Sequence, residues 1–274
     1  MRVIQCQTPV FQSKQQNLLQ MAQYMAEVED AHPDLVMFGE MFTCPYQTEN
    51  FPVYAEEEGG ESWQIFSSLA KRYKTYLAAG SIPELGKDGK VYNTAYVFNR
   101  EGEMIAKHRK MHLFDIDVKG GQTFRESDTL TAGDQITTFD TEFGKAGLAI
   151  CFDLRFPELF RMMALEGVDF ILVPAAFNTT TGPLHWDTLF KCRALDNQCY
   201  IIGTSVARDP SASYQAYGHS LIADPWGKIV RELDEKEGIL GNDIDLGRCI
   251  EVREQIPVLK ARRTDLYEIR ESRK

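Results

Sequence analysis

Three residues of complementary type stand at the ends of expected elements: Glu40, Lys110 and Cys151. A cysteine can attack a carbonyl carbon if a neighbouring base takes its proton. A carboxylate serves as that base when burial raises its pKa towards neutrality. The attacked carbonyl then builds negative charge on oxygen, which an ammonium and a backbone N–H can hold. The set points to acyl transfer through a thioester, with no metal and no cofactor called for. Spacing alone also allows a capped or salt-bridged glutamate, a surface lysine and an interior cysteine, because the three are far apart in the chain.

The elements that must position them follow from patterning. Residues 145–150 alternate and then turn apolar, which predicts a buried strand, and Phe156, Leu159, Phe160 and Met163 recur at helical spacing. Cys151 is thus expected where a strand turns into a helix, with the helix N-terminus favouring its thiolate. Residues 34–39 read as a short strand buried on both sides, with Glu40 at its C-terminal end, where functional groups collect in open α/β sheets. Residues 91–99 and 103–108 read as a hairpin that delivers Lys110. Further strands are expected at 2–7, 76–83, 136–140, 169–174, 199–206, 218–223, 228–231 and 238–244. Helices are expected after Ser13, which forms a capping box with Gln16, and around 63–73, 184–198 and 246–255. The polar stretch 111–134, with three glycines, is a long connection of the functional or disordered kind. Strands and helices alternate with no linker, which suggests two sheets back to back with helices outside.

The composition excludes other classes. The chain has 274 residues, 43% hydrophobic and 26% charged, as a soluble globular protein has, and is long enough for a sizeable core. A net charge of −10 repels phosphate backbones, and the one dense basic run, 260–263, is short and sits beside Asp265 and Glu268, so no nucleic-acid partner is expected. No apolar run approaches a membrane span, and a first strand from Arg2 leaves no stretch for a signal peptide. Six cysteines without a C-x-x-C pair suit reduced thiols in a cytoplasm. His108 and His112 are four apart but lack the glutamate of a zinc helix, Ser205 and Ser220 lack a nucleophile elbow, and the glycine-rich 118–122 fits no phosphate loop. His185 and Trp186 open a helix, where packing is the simpler reading.

The pieces FGEMF around Glu40, HRKMHLF around Lys110 and AICFDLRFPE around Cys151 together resemble the nitrilase, or carbon–nitrogen hydrolase, superfamily, from Arg2 to about Tyr267. GPLHW at 182–186 and YGHSLIADPWG at 217–227 support it. HLFDIDVKGGQTFRES, AFNTTTGPLHW, RALDNQ and SVARD are most similar to its omega-amidase branch. Gly39 departs from the proline usual before the glutamate, with an effect expected on loop rigidity and not on chemistry. The resemblance implies an α/β fold, a four-layer α-β-β-α sandwich, spanning 1–274 as one domain with a C-terminal arm from about 256. It implies a catalytic triad of Glu40, Lys110 and Cys151. Glu126 of FRES would orient the lysine and the substrate amide, and the Phe152 N–H would complete the oxyanion hole. Arg155 is read as an ion-paired structural support. The implied reaction cleaves the terminal amide of 2-oxoglutaramate or 2-oxosuccinamate to the dicarboxylate and ammonia. A remote carboxylate needs a partner, for which Tyr46, Asn178 and Arg208 are the loop candidates. The alternatives are an amidase for deaminated glutathione or another small aliphatic amide, and, outside enzymes, a catalytically silent interaction protein. The resemblance also implies a homodimer or larger, packed through the helix after the cysteine, with Phe160 and Met163 as candidates either for that interface or for the intramolecular core.

Overall fold

The structure is a computed structural model that describes residues 1–272. Its first six-stranded sheet has the order β14-β1-β2-β3-β4-β5, formed by Gly238–Asp243, Arg2–Gln7, Leu35–Met37, Tyr76–Leu85, Val91–Phe98 and Met104–Arg109. The second runs β13-β12-β11-β10-β9-β8, formed by Ile229–Glu232, Leu221–Ala223, Tyr200–Ser205, Phe170–Ala175, Gly144–Leu148 and Thr137–Thr141. A small hairpin, β6 (Asp115–Asp117) with β7 (Thr123–Arg125), stands apart.

The period-2 pattern of the first sheet explains the layering. Val3, Leu35, Met37, Ala78 and Val97 enter one core with Leu148, Phe170 and Leu172 of the other sheet. Their neighbours Ile4, Val36, Leu77 and Tyr96 enter a second core with Leu18, Met21, Phe66 and Leu69. Those last four belong to α1 (Lys14–Glu27) and α3 (Glu61–Tyr73), which cover the outer face. On the other side α4 (Pro157–Leu165) and α5 (Gly182–Asn197) pack together and bury Leu159, Phe160, Met163, Trp186 and Phe190. The α-β-β-α sandwich expected from the sequence is therefore the observed one. Two shorter helices, α2 (Asn50–Tyr54) and α6 (Gly247–Gln255), complete it.

Buried polar groups lock the two sheets together. Gln5 of β1 donates from Nε2 to the Gly203 carbonyl at 2.6 Å, and Gln7 accepts from the Ser220 N–H at 2.8 Å. Gly39 allows close contact at the same seam. A Cβ there would lie 2.8 Å from the Ser205 carbonyl carbon and the Val206 nitrogen. The glycine thus does more than relax a loop, because any side chain would push the end of β2 off the end of β11.

Several boundaries differ from the sequence reading. The 111–134 connection contains the β6–β7 hairpin, whose cross-strand bonds its polar composition concealed. Helix α5 starts at Gly182, because Pro183 fits the first turn of a helix, where its missing N–H costs nothing. Phe160 and Met163 are fully buried in the core, so they are corrected from interface candidates to packing residues. Among the described residues no helix is long and apolar enough to cross a membrane.

Candidate active site

The ends of three strands from both sheets converge on one buried cluster. Glu40 lies three residues past β2, and its N–H reaches the Ala175 carbonyl at 3.3 Å. Lys110 directly follows β5, and Glu126 opens a 3-10 turn directly after β7. Cys151 opens the 3-10 turn Cys151–Arg155 after β9, with φ of 45°. That left-handed conformation is costly for a residue with a Cβ, and the tight turn holds it.

Lys110 Nζ donates to Glu40 Oε1 at 2.8 Å and to Glu126 Oε1 at 2.9 Å, all three side chains being fully buried. Tyr46 OH lies 2.5 Å from Glu126 Oε1 and 3.1 Å from Glu40 Oε1. Asn93 Nδ2 donates to Glu40 Oε1 at 2.8 Å, and the Phe114 N–H donates to Glu126 Oε2 at 2.6 Å. The Lys110, Tyr46 and Asn93 donors to Glu40 thus all fall on Oε1. Its Oε2 is buried without a partner, on a carboxylate that faces the Cys151 thiol.

The electrostatics follow from this geometry. Burial raises the Glu40 pKa, and the Glu126 charge adds to the rise, against the opposing pull of Lys110. Burial alone would strip the proton from Lys110, but Glu126 and Glu40 outweigh it and leave its pKa raised, so it stays an ammonium. Burial, then the Glu40 charge, pushes the Cys151 thiol well above its ordinary value, although the Ala176 N–H bonds to the sulfur. The expectation of a helix-stabilised thiolate is corrected. Helix α4 starts only at Pro157, and five residues of tight turn and loop separate Cys151 from it. The resting nucleophile is a thiol beside a buried base whose own pKa is also raised.

The turn is anchored by Asp153. Its carboxylate receives His108 Nε2 at 3.1 Å, His112 Nδ1 at 2.7 Å, the His112 N–H at 3.0 Å and the Ile150 N–H at 3.0 Å. Burial would raise its pKa, but the two histidines outweigh that and hold it below the usual carboxylate range. The two histidines that flank Lys110 therefore clamp the lysine segment onto the cysteine turn. Among the described residues no group of acidic, histidine and cysteine side chains could hold a metal ion. Asp153 N–H closes the first bond of the turn on the Ile150 carbonyl at 2.9 Å, which leaves the Phe152 N–H ahead of it and directed outside the turn's own bonding.

The three loop candidates for substrate contact fall elsewhere. Tyr46 bonds to the two glutamates. Asn178 accepts from Thr181 N–H and donates to Gln122 at 2.6 Å, tying the β6–β7 hairpin to the start of α5. Arg208 donates to the Ala216 and Tyr217 carbonyls at 3.1 and 2.8 Å, closing the base of the 208–217 loop. All three are held by bonds to the protein itself. Arg155 carries a charge with no carboxylate to meet it, and the reading of it as an ion-paired support is corrected. It pairs with no carboxylate among the described residues, and its Nε is buried without a partner. Its guanidinium lies over Phe152 and Phe177 at 5.4 and 5.0 Å, meets His185 Nδ1 at 3.0 Å, and is close enough to interact with the Cys151 and Tyr214 charges. Sequence reasoning passed it over because an arginine four residues after a cysteine gives no sign of lacking a counter-ion.

Aromatic rings roof the cluster. Tyr214 stacks on Tyr46 with centroids 4.4 Å apart and packs edge-on against Phe124. Phe114 packs on Phe124 and Phe152.

The carbon-nitrogen hydrolase family model matches residues 1–254. The chain is 47% identical to omega-amidase NIT2 of Mus musculus, over 100% of this chain and 98% of that protein. It is 44% identical to omega-amidase NIT2 of Homo sapiens, over 98% and 97% respectively. The solved structure of Saccharomyces cerevisiae Nit3, a member of branch 10 of the nitrilase superfamily, superposes with a TM-score of 0.89 at 40% identity, covering 96% of each chain.

Proposed function

This chain belongs to the carbon–nitrogen hydrolase family, and from that premise we infer that it is an amide hydrolase of the omega-amidase type. The observation that carries the substrate class is the Arg155 guanidinium, which has no carboxylate partner among the described residues and stands at the edge of the Glu40, Lys110, Glu126 and Cys151 cluster. A small linear amide with its carboxylate on Arg155 has its far end towards the thiol. This suits short amidodicarboxylates such as 2-oxoglutaramate and 2-oxosuccinamate.

In the proposed reaction Cys151 attacks the amide carbon as its proton passes to Glu40 Oε2. Burial makes Glu40 a stronger base and keeps the resting sulfur protonated, so the thiolate forms only as it attacks. Lys110 and the Phe152 N–H hold the oxyanion, and Glu126 keeps the lysine charged and aimed. Glu40 returns the proton to the departing nitrogen, which leaves as ammonia. Water, activated by the same carboxylate, then cleaves the thioester.

The test compares ammonia release from succinamate and propionamide, with mass spectrometry of quenched enzyme. Succinamate should be strongly preferred, an acyl adduct should appear on Cys151, and Cys151→Ala should be folded and inactive. Equal turnover of the two amides would overturn remote-carboxylate recognition, and an active Cys151→Ala would overturn the mechanism.

The whole chain acts in this reading as one catalytic unit that works as a homodimer or larger, in a reducing cytoplasm that suits its six unpaired cysteines. The arm after α6 supports the dimer, because it exposes Ile256, Leu266 and Tyr267 side by side with the apolar surface around Val258. Light scattering that gives a monomer at micromolar concentration would remove it.

A further inference from the structure

The thioester reading brings two nucleophiles to one carbonyl in turn, and the second arrives when the acyl chain already fills the way it came. With the carboxylate on Arg155 and the carbonyl on Cys151, the acyl group covers that side of the cluster. The rings of Phe114, Phe124 and Phe152 close the space above it. Glu40 Oε2 must nevertheless meet a fresh water, and ammonia must first leave from the same atom.

A cavity of about 580 Å³ reaches Glu40 from elsewhere. Met41, Cys44, Val206 and Ala216 line it with Glu40 and are buried, while Gln12 and Ser211 stand at its exposed rim. Lys110, Cys151 and Arg155 do not line it. The Tyr46–Tyr214 stack walls it off from Phe124, and Gln47 Nε2 donates to Ser213 Oγ at 2.6 Å above that stack. It therefore opens on the base without opening on the acyl-binding side.

We propose that this cavity is a separate port to Glu40, through which ammonia leaves after acylation and through which water or another small uncharged nucleophile arrives for deacylation. The proposal rests on the thioester reading above. The lining suits such ligands: uncharged ammonia and water pass the buried Met41, Cys44, Val206 and Ala216 at little cost, whereas a carboxylate would meet Glu40 and Asp209 as like charges. In the second half-reaction the incoming oxygen or nitrogen bonds to the acyl carbon and gives its proton to Glu40. The carbon–sulfur bond then breaks, and the proton passes to the departing sulfur to restore the thiol. A small amine using the port would yield the corresponding amide or hydroxamate in place of the acid.

Two plugging variants from opposite walls test this, Val10→Trp and Ala212→Trp, both at half-exposed lining positions that can take a ring without entering the core. Rapid-quench mass spectrometry on succinamate would follow the first-turnover appearance and the later decay of the Cys151 adduct. Hydroxylamine would be added as a second nucleophile. Both variants should form the adduct within about twofold of the wild-type rate. They should lose it at least fivefold more slowly, and water should gain on the bulkier hydroxylamine in the partition between acid and hydroxamate. Slower adduct formation with normal decay would overturn the port and make the cavity the way in for substrate. Unchanged formation, decay and partition in both variants would overturn it as well. A wild type that forms no adduct at all would overturn the thioester reading together with the port, so the two failures are distinguishable.

Discussion

Replacing Arg155 with methionine tests the substrate class most sharply, because its effect should depend on the substrate and not on the fold. The guanidinium is half-buried and has no counter-ion among the described residues, so its removal breaks no ion pair of the free enzyme. Methionine retains much of the packing over Phe152 and Phe177. With an omega-carboxylate bound, the variant leaves that carboxylate facing apolar rings. Truncating one partner of a fully buried pair costs about 3–5 kcal/mol. Partial exposure of Arg155 lets water share the load, so about 2–3 kcal/mol is the working figure, in line with hydrogen bonds to charged groups. At about 1.4 kcal/mol per tenfold, kcat/KM for succinamate should fall about 30–150-fold. Propionamide, which has no carboxylate, should change less than about threefold. The assay is ammonia release across both substrates and both enzymes. An equal loss on the two substrates would show that Arg155 supports the turn or the chemistry and refute the carboxylate assignment.

Lys110→Ala should lower kcat by about 10²–10³ or more, the usual cost of an oxyanion donor, and should leave an inactive enzyme whose Glu40 and Glu126 repel each other. The acid limb of the kcat/KM profile should lie above the ordinary carboxylate range of about 4.3, because Glu40 must be ionised to act and its pKa is raised. That apparent value belongs to the whole cluster; a limb at or below 4 would contradict the base assignment. Gly39→Ala should destabilise by about 1–3 kcal/mol through overpacking against the Ser205–Val206 backbone, read as a lower denaturant midpoint. Asp153→Ala should cost at least about 3 kcal/mol, since it strands several buried donors. Asp153 has a depressed folded pKa, so its contribution is complete above the unfolded value of about 3.9 and is lost as pH falls through the folded one. The gap between wild type and variant in urea titrations should stay level from pH 8 to pH 5 and narrow only below about pH 4.

Much of the framework was legible from local pattern, an apolar run before Glu40 and before Cys151 and a hairpin before Lys110. Glu40, Lys110 and Cys151 stood out for that reason, and Glu126 followed from the resemblance. The surroundings were not legible, because they depend on distant pairings that leave no local pattern. Tyr46 meets Glu126 across 80 positions, and His108 meets Asp153 across 45. The spacing of His108 and His112 suggested a metal helix at best, whereas a strand end and the turn beyond it place both on one aspartate. The helix expected to begin at Cys151 was misread because Phe156, Leu159 and Phe160 do carry helical periodicity. Nothing in that periodicity reveals that the preceding residues close a tighter turn first.

The base and the ammonium come from one sheet and the nucleophile from the other, so the chemistry lies across the join between them. A nascent chain that has made only the first five strands carries Glu40 and Lys110 with nothing to activate. Cys151, when it follows, is an ordinary thiol until β9 is laid against β10 and Asp153 has taken hold of both histidines. The division works as a safety catch. The half-made polypeptide holds no assembled triad with which to attack its own amides or those of its neighbours, and the act of closing the sandwich is also the act of switching the enzyme on.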